Sequence, residues 1–355
     1  MECSVGIVIR RSEYNWLGPA RQKLCMIRRT KNPYYGFYEF PGGQINKNED
    51  PFEALKRELS EELDIDKNEY ILINSGDKVD NNKVHATFFT RMLHHYDKFK
   101  VILNIYLVWL PSNISISSQE RRDIIFVNPI QNNKINFLDS TFRILRFFEI
   151  PRELYIAENK QHLDHWKIKM QEINSIRIRK TYNNHTEYAE LVSGFIENLI
   201  KSSDQNYSSS YFPHAHNHRL LIIDDLNLYN KLPIHLKRYV GGMHYNSSDL
   251  KQLANTYRWK SDSNLQYSSC SCHSLEDLKI AEKLNMDFAL LSPVLTSKDD
   301  NKRLGWEGFK SLAKSVNIPI LALGGMDKSN ECLNLSLDNG GYGISGISNF
   351  WEKIE

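Results

Sequence analysis

Three glutamates on one predicted helix are the residues of this sequence best suited to chemistry. Glu58, Glu61 and Glu62 stand at positions i, i+3 and i+4, so in a helix their carboxylates share one face. Carboxylates held this close repel one another, and a divalent cation such as Mg2+, which prefers oxygen ligands, would remove that repulsion. The spacing therefore indicates a divalent-metal site, with a solvated acidic helix face as the structural alternative.

The segment around these glutamates also indicates what would position them. Asp50 is the predicted N-cap and Pro51 the first residue of a helix that extends to about residue 63. Upstream, Gly42 and Gly43 allow the backbone to approach a ligand closely. Apolar residues recur at three- and four-residue spacing and predict one buried stripe, formed by Phe52, Leu55, Leu59 and Leu63.

This segment resembles the Nudix box, Gly-x5-Glu-x7-Arg-Glu-hydrophobic-x-Glu-Glu-x-Gly-hydrophobic. One position departs from the pattern, because Asp64 stands where the family has a glycine after the helix. Aspartate tolerates a left-handed backbone better than most residues, so we treat the change as mild. The matching positions are Gly43, Glu49, Arg57, Glu58, Leu59, Glu61, Glu62 and Ile65.

The Nudix resemblance implies a hydrolase that depends on Mg2+, with Mn2+ as an alternative ion, and that cleaves a nucleoside diphosphate linked to another group. It implies catalytic roles for Glu58, Glu61 and Arg57, with one carboxylate activating the attacking water. The implied metal ligands are the Gly42 carbonyl, Glu58, Glu61, Glu62 and, from a later loop, Glu120. For Glu120, a plain charged loop residue is an equal alternative.

Two flanking motifs resemble the MutT-type subgroup, which hydrolyses oxidised nucleotides such as 8-oxo-dGTP to the monophosphate and pyrophosphate. That activity cleanses the nucleotide pool and avoids mutation. The motifs are Met26–Arg29, similar to a strand ending in paired arginines, and Tyr38–Gly43, similar to the subgroup's Glu-Phe-Pro-Gly-Gly. The resemblance places Arg29 on phosphate, with an exposed strand-end charge as the alternative. It places Glu39, Phe40, Pro41 and Gly42 along the nucleotide pocket.

One departure from the MutT subgroup bears on the substrate. Those enzymes carry an asparagine late in the domain that reads the purine edge, and Thr141 occupies that place here. An amide can donate and accept at once, whereas a hydroxyl does so with less reach. The resemblance therefore implies hydrolysis of a nucleotide, with 8-oxo-dGTP as the first candidate and the preference for its base left open.

The second part of the chain has a different pattern of apolar residues. Short strand-like runs alternate with helix-like runs there, which is typical of a (β/α)8 TIM-type barrel, with a doubly wound sheet as the competing interpretation. The eight runs are Glu153–Ile156, Ser175–Ile178, Leu220–Ile223, Val240–His244, Tyr267–Cys272, Phe288–Leu291, Ile318–Leu323 and Gly343–Ile347. We expect a two-domain α+β and α/β protein, with a Nudix α/β/α sandwich over residues 1–147 and a barrel over 148–355.

Residues 151–355 resemble thiamine phosphate synthase and its TenI relatives, which are barrels of this type. The resemblance implies that Asp225 and Asp249 bind Mg2+ and diphosphate after their strands. It also implies that Gly324, Gly325 and Ser348 hold a phosphate. The matching stretches include Pro151–Ile156, Gly242–Tyr245 followed by Asp249, Ser271–Glu276 and Leu323–Met326.

The barrel departs from that family where its catalysis would need particular residues. Arg179-Lys180-Thr181 stands for Arg-x-Lys, so the lysine is missing or displaced by one position, and Asp224-Asp225 stands for Asn-Asp. Three roles stay open for the barrel. It is a thiamine phosphate synthase whose Nudix domain clears a diphosphate metabolite, a sensor of a phosphorylated ligand, or a non-catalytic scaffold.

Composition limits the expected partners. Lys and Arg number 45 against 43 Asp and Glu, a net charge of +2, which gives no electrostatic case for binding nucleic acid or a membrane surface. No run approaches the roughly 18 apolar residues of a membrane span. Five sparse cysteines and a start unlike a signal peptide favour the cytoplasm. The HxHxH cluster His214, His216 and His218 is expected to be solvated loop rather than a zinc site.

Overall fold

Two units make up this chain in the computed structural model, Met1–Glu149 and Ile150–Glu355. A helix, Asp139–Glu149, ends the first unit. The structure describes residues 1–10, 23–73, 82–96, 99–118, 123–132, 134–168, 175–181, 185–206, 220–256, 265, 267–296 and 302–351.

The first unit contains two sheets. A five-stranded mixed sheet has the order β4-β1-β7-β6-β5, and a three-stranded antiparallel sheet has the order β3-β2-β8. The strands are β1 (Glu2–Arg10), β2 (Leu24–Arg28), β3 (Tyr38–Glu39), β4 (Gly42–Gln44), β5 (Tyr70–Leu72), β6 (Val84–His95), β7 (Lys100–Leu110) and β8 (Ile124–Val127). The helices are α1 (Pro51–Leu63), a 3-10 helix (Lys67–Glu69) and α2 (Asp139–Glu149).

Helix α1 begins where the sequence predicts and packs against the five-stranded sheet. The Asp50 carboxylate caps it by accepting a hydrogen bond from the N–H of Phe52 at 2.8 Å. Leu55 and Leu59 of the predicted stripe are fully buried, and they lie so close to β1 that a Cβ on Gly6 would meet them at 3.3 and 3.4 Å. This packing fixes the distance between strands β1 and β4 and the face of α1 that carries Glu58, Glu61 and Glu62.

The second unit is a closed barrel of eight parallel strands. Pairing of the last strand with the first closes it, so the doubly wound alternative is wrong, because such a sheet has two open edges. The strands are β9 (Glu153–Ala157), β10 (Ser175–Ile178), β11 (Leu220–Ile223), β12 (Gly242–Tyr245), β13 (Tyr267–Cys272), β14 (Phe288–Leu291), β15 (Ile320–Leu323) and β16 (Gly343–Gly346). The predicted fold class is confirmed, and all eight predicted strands are present.

Helices follow most strands of the barrel, as the alternating pattern indicates. Their packing on the outward-facing strand residues forms the main apolar core of this unit. The helices are α3 (Lys160–Ile168), α4 (His185–Asn206), α5 (Leu226–Lys231), α6 (Ile234–Lys237), α7 (Ser247–Thr256), α8 (Leu275–Lys283), α9 (Gly305–Ala313) and α10 (Asn330–Asp338). Over the described ranges of both units, no helix has the length and apolar character needed to cross a membrane.

Asp64 provides a test of how α1 ends. It is the C-cap in the left-handed region, at φ 58° and ψ 38°, and its carboxylate accepts a hydrogen bond from Ser117 Oγ at 2.9 Å. We expect Asp64→Val to lower the stability of the first unit by about 1–2 kcal/mol, because a β-branched residue resists this backbone conformation. Asp64→Gly should leave it nearly unchanged, since glycine adopts the conformation freely.

The free energy of unfolding of the first unit can be measured in both variants by urea titration. Hydrogen exchange is followed in peptides from residues 1–149, so that the barrel does not contribute to the signal. Equal losses in the valine and glycine variants would show that the carboxylate, and not the backbone conformation, matters at this position.

Candidate functional site

The guanidinium of Arg57 ties helix α1 to the loop that precedes it. Its Nε and Nη2 donate to the two carboxylate oxygens of Glu49 at 2.8 and 2.9 Å, and Nη2 also donates to the Gln44 carbonyl at 2.9 Å. Its Nη1 donates to Glu58 Oε1 at 2.6 Å. The hydrogen bonds from Arg57, with one from the N–H of Asn46, lower the pKa of Glu49 to about 2. Glu49 therefore stays ionised and anchors the arginine across the neutral pH range.

Glu62 reaches the main chain of the glycine pair. Its side chain is 3% exposed, and its Oε2 accepts a hydrogen bond from the N–H of Gly42 at 2.8 Å. Gly42 has φ 144°, and a Cβ there would lie 2.2 Å from the carbonyl oxygen of Ser4 in β1. Only glycine fits this close approach, so the β1–β4 pairing delivers the Gly42 backbone to the glutamate face.

Glu58 lies over the second glycine of the pair. A Cβ on Gly43 would be 2.3 Å from Glu58 Cδ, so the carboxyl occupies the space that a larger residue would fill. The side chain is 15% exposed. Burial raises the pKa of Glu58, although the hydrogen bond from Arg57 opposes that shift. The carboxyl is thus partly desolvated and held by one cationic partner.

Glu61 behaves differently from its two neighbours. Its side chain is 53% exposed, and its nearest cation is Arg57 Nη1 at 3.9 Å. In the part of the chain that the structure describes, no three His, Cys, Asp or Glu side chains are grouped as a metal site. The donors present, carboxylate oxygens of α1 beside the Gly42 main chain, nevertheless suit a hard divalent cation that keeps several waters. Glu120, the predicted ligand from a later loop, lies outside the described residues.

A cavity of about 320 Å3 opens beside Glu58 and Glu62. Part of its wall is formed by Gly42, Gly43 and the ion pair between Arg29 and Glu39. The predicted substrate residues Arg29, Glu39, Phe40, Gly42 and Thr141 all line it. Pro41 and Arg57 are not among the described lining residues. The Pro41 carbonyl accepts instead from the N–H of Gly6 at 2.9 Å, and Arg57 donates to Glu58.

Another part of the wall is aromatic and was not predicted from the sequence. The ring of Tyr96 lies 5.5 Å from that of Tyr34 and 4.8 Å from that of Phe99, measured between centroids. The Tyr96 hydroxyl donates to Ser140 Oγ at 2.8 Å. These residues come from three separate segments, and only the folded chain brings them together. Their flat faces suit an aromatic base.

Thr141 stands beside these aromatic rings in the first turn of α2. The residue is 1% exposed, and its Oγ1 has no hydrogen-bond partner among the described residues. A buried hydroxyl without a partner costs about 1–3 kcal/mol. Thr141 lines the cavity, so a ligand that supplied a donor or an acceptor to this hydroxyl would recover that free energy.

The mouth of the barrel carries paired charges at the carboxyl ends of its strands. Arg177 binds Asp224 through two hydrogen bonds of 2.8 and 2.7 Å, and Lys180 Nζ lies 2.7 Å from Asp225 Oδ2. Burial raises the pKa of Asp225, but the bonds from Lys180 and the N–H of Leu228 outweigh it, so the net pKa is lowered. The lysine that the sequence places one position away from the family pattern therefore still reaches the aspartate.

The other predicted barrel residues lie at the same edge. Asp249 accepts from Asn246 Nδ2 at 2.7 Å, and burial raises its pKa. Gly324 and Gly325 follow β15 with φ 99° and 79°, and Ser348, which is exposed, follows β16. Since the ammonium of Lys180 already neutralises Asp225, these residues do not form a ready metal centre, and we derive no metal step in the barrel. The histidine cluster 214–218 lies outside the described residues.

Inside the barrel, His244 is fully satisfied. Its two ring nitrogens lie 2.9 Å from Ser269 Oγ and 2.8 Å from Ser271 Oγ. Burial, followed by the charges of Arg177 and Arg179, holds its pKa well below the usual histidine value. His244 is therefore a neutral core residue in this unit.

Comparisons with known proteins match each unit to a different family. Residues 4–124 match the NUDIX domain model, and residues 214–349 match the model for thiamine monophosphate synthase. A putative thiamine-phosphate synthase 2 of Aquifex aeolicus is 43% identical over 84 residues, which are 23% of this chain and 44% of that protein. An 8-oxo-dGTP diphosphatase of Proteus vulgaris is 46% identical over 48 residues, 14% of this chain and 43% of that protein.

The chain thus spans less than half the length of each of these two curated relatives. Among solved structures, thiamine phosphate pyrophosphorylase from Pyrococcus furiosus is 20% identical with a TM-score of 0.40, and the match covers 56% of this chain and 87% of that one.

Gly43 allows a test of the glutamate face without removing a carboxylate. Gly43→Ala is expected to displace the Glu58 carboxyl, because the new methyl would lie 2.3 Å from Glu58 Cδ. We expect affinity for Mn2+, read by electron paramagnetic resonance during titration, to fall by about 10–100-fold, as for other residues that orient metal ligands. The fold should persist, because the displaced group is the end of a flexible side chain.

Gly308→Ala in helix α9 is the matched control, since its methyl would meet nothing nearer than Leu304 Cβ at 3.4 Å, an ordinary van der Waals contact. If the Mn2+ affinity of the Gly43 variant equals that of the wild type, Glu58 is not a metal ligand.

Proposed function

We propose that this chain, which joins a MutT-like Nudix domain to a thiamine phosphate synthase-like barrel, hydrolyses a nucleoside triphosphate to the monophosphate and pyrophosphate. We propose 8-oxo-dGTP as its substrate and cleansing of the nucleotide pool as its role. The observation that carries this proposal is the meeting of the buried Glu62 and the partly buried Glu58 with the Gly42–Gly43 backbone. They meet at the wall of a cavity that also holds aromatic rings.

The residues that would hold Mg2+ are Glu58, Glu61, Glu62 and the carbonyl of Gly42. When bound, the cation screens phosphate charge and stabilises the charge that develops in the transition state. Glu61, which is solvent-exposed, would approach the cation from the open side of the helix. Glu62 would approach from the buried side, where the N–H of Gly42 already orients it.

The chain's own residues then divide the remaining tasks. Glu58 is the carboxylate that we assign to accept a proton from the attacking water, because its carboxyl lies over Gly43 at the wall of the cavity. Arg57 fixes the position of Glu58 through their 2.6 Å hydrogen bond. Arg29, paired with Glu39 at the cavity wall, would bind a phosphate of the substrate.

The base of the nucleotide is assigned to the aromatic part of the cavity. Tyr34, Tyr96 and Phe99 offer ring faces for stacking. The unpartnered hydroxyl of Thr141 offers a donor and an acceptor to the edge of the base. This hydroxyl takes the place that an asparagine has in the MutT subgroup.

A second function is proposed for the barrel, the binding of a phosphorylated ligand at its mouth. The observation that favours it is the turn at Gly324 and Gly325, with φ 99° and 79°, which follows β15 at the mouth where Lys180 also lies. A thiamine-pathway synthase is the catalytic form of this proposal.

The test of ligand binding at the barrel mouth is a titration of the chain with inorganic pyrophosphate, followed by 31P NMR. The titration is run on the wild type and on Lys180→Met.

Charge removal on helix α1 tests the hydrolytic assignment. Glu58→Gln is expected to lower kcat by about 100-fold or more, because it removes the proton acceptor and a metal ligand. Glu53→Gln is the matched control on the same helix, since Glu53 is 59% exposed and pairs with Lys56. Rates are measured with purified chain, Mg2+ and 8-oxo-dGTP. Equal rates in the Glu58 variant and the wild type would contradict the assignment.

Thr141 tests which group reads the base. Thr141→Val keeps the shape of the side chain and replaces the hydroxyl by a methyl group. We expect kcat/KM for 8-oxo-dGTP to fall by about 5–160-fold, the cost of one lost hydrogen bond of about 1–3 kcal/mol. Thr141→Ser should retain most of the activity. If the valine variant hydrolyses 8-oxo-dGTP and dGTP with the wild-type ratio, Thr141 does not discriminate between the bases.

A further inference from the structure

The barrel mouth has a lysine beside the aspartate that the resemblance to thiamine phosphate synthase implies as a Mg2+ ligand. Lys180 Nζ lies 2.7 Å from Asp225 Oδ2, and the Asp225 side chain is 8% exposed. The other carboxylate oxygen, Oδ1, accepts a hydrogen bond from the N–H of Leu228 at 3.0 Å. Both oxygens of Asp225 are therefore bound by groups of the chain itself.

The neighbouring carboxylate is occupied as well. Asp224 accepts two hydrogen bonds from the guanidinium of Arg177, at 2.8 and 2.7 Å, and a third from the N–H of Lys180 at 3.2 Å. The side chains of Arg177 and Asp224 are 6% and 11% exposed. Because a buried pair with two parallel hydrogen bonds is fixed in its geometry, this carboxylate is not available to an ion.

Asp249, the second implied ligand, lies at the same edge of the barrel. Its Oδ2 accepts a hydrogen bond from Asn246 Nδ2 at 2.7 Å. Mg2+ takes a nearly ideal octahedral set of oxygen ligands at about 2.0–2.1 Å. A divalent ion could bind Asp225 and Asp249 together only by displacing the ammonium of Lys180 from Asp225.

The ammonium of Lys180 can also contact a ligand. An ammonium group has three N–H donors. One faces Asp225 Oδ2, and a second faces Nδ1 of His185 at 3.1 Å. Since 28% of the Lys180 side chain is exposed, the third donor can reach a ligand at the mouth. Lys180 can therefore link the buried carboxylate to an anionic ligand.

We infer that the Lys180 ammonium takes the place of a divalent cation, so that the barrel mouth binds the phosphate group of its ligand without a metal ion. A lysine binds phosphate as a compact point charge, and between Asp225 and a phosphate it links two anions, as Mg2+ would. The inference rests on the phosphate binding proposed above for the barrel, but the place of Lys180 can be tested without that ligand.

Mn2+ titrations followed by electron paramagnetic resonance test the place of Lys180 on the full chain. Asp249→Asn alone is expected to leave the number of bound Mn2+ ions unchanged. Lys180→Met should add about one bound Mn2+ per chain, because Asp225 and Asp249 then lack the ammonium and suit a hard cation. Adding Asp249→Asn to Lys180→Met should remove that ion. Lys283→Met, at the exposed end of helix α8, is the matched control and should add none.

Two results of these titrations would overturn the proposal. One is a loss of bound Mn2+ on Asp249→Asn alone, which would place a divalent ion at the mouth of the wild type. The other is a Lys180→Met chain that is folded, as its melting curve shows, and binds no further Mn2+.

Inorganic pyrophosphate tests the binding of the anion. In the presence of EDTA, we expect 31P NMR titrations to show binding to the wild type and to Lys283→Met, and binding about tenfold weaker to Lys180→Met, which has lost a charged donor. Binding that requires added Mg2+ and is lost in Asp249→Asn would overturn the proposal. If pyrophosphate binds under neither condition, the function proposed for the barrel fails, and the Mn2+ counts still decide whether Lys180 replaces the cation.

Discussion

The proposed hydrolytic site depends on one guanidinium group. Arg57 lies between Glu49 and Glu58, and it also holds the carbonyl of Gln44, so one side chain joins the loop, the strand β4 and the helix α1. Without that cation, the carboxylates around it would repel one another as they are drawn together. With it, Glu58 can stay over Gly43 in a partly buried position. The hydrogen bonds of Arg57 therefore set the positions of the glycine pair, helix α1 and the cavity wall relative to one another.

The second constraint is the room available around the main chain, and the glycines differ in how close their neighbours lie. At Gly42, a Cβ would stand 2.2 Å from the carbonyl oxygen of Ser4, and at Gly43 it would stand 2.3 Å from Glu58 Cδ. Only the absence of a Cβ lets these groups come so close. At Gly194, in helix α4, a Cβ would meet no described atom within 4 Å. In the first case glycine is needed for packing, whereas in the second no neighbouring atom requires it. A structure distinguishes these cases, whereas a sequence does not.

Much of the fold and part of the site could be predicted from local patterns. The helix α1 with its Asp50 cap and Leu55–Leu59 stripe, and the eight short strands of the barrel, follow from spacing and capping within short windows. The left-handed backbone at Asp64 also agrees with the tolerance expected of aspartate. What could not be predicted depends on contacts between distant segments. The rings of Tyr34 and Tyr96 meet only in the folded chain, Lys180 reaches Asp225 from another strand end, and Glu61 proves more exposed than its neighbours.

The measurement that tests the central claim most directly is a hydrolysis screen of the purified chain with Mg2+ and identification of the products. The panel holds 8-oxo-dGTP, the ordinary nucleoside triphosphates, nucleotide sugars and thiamine diphosphate. The account predicts that 8-oxo-dGTP is preferred and yields the monophosphate and pyrophosphate. Preference for thiamine diphosphate, or no hydrolysis of any nucleotide by the folded chain, would contradict it.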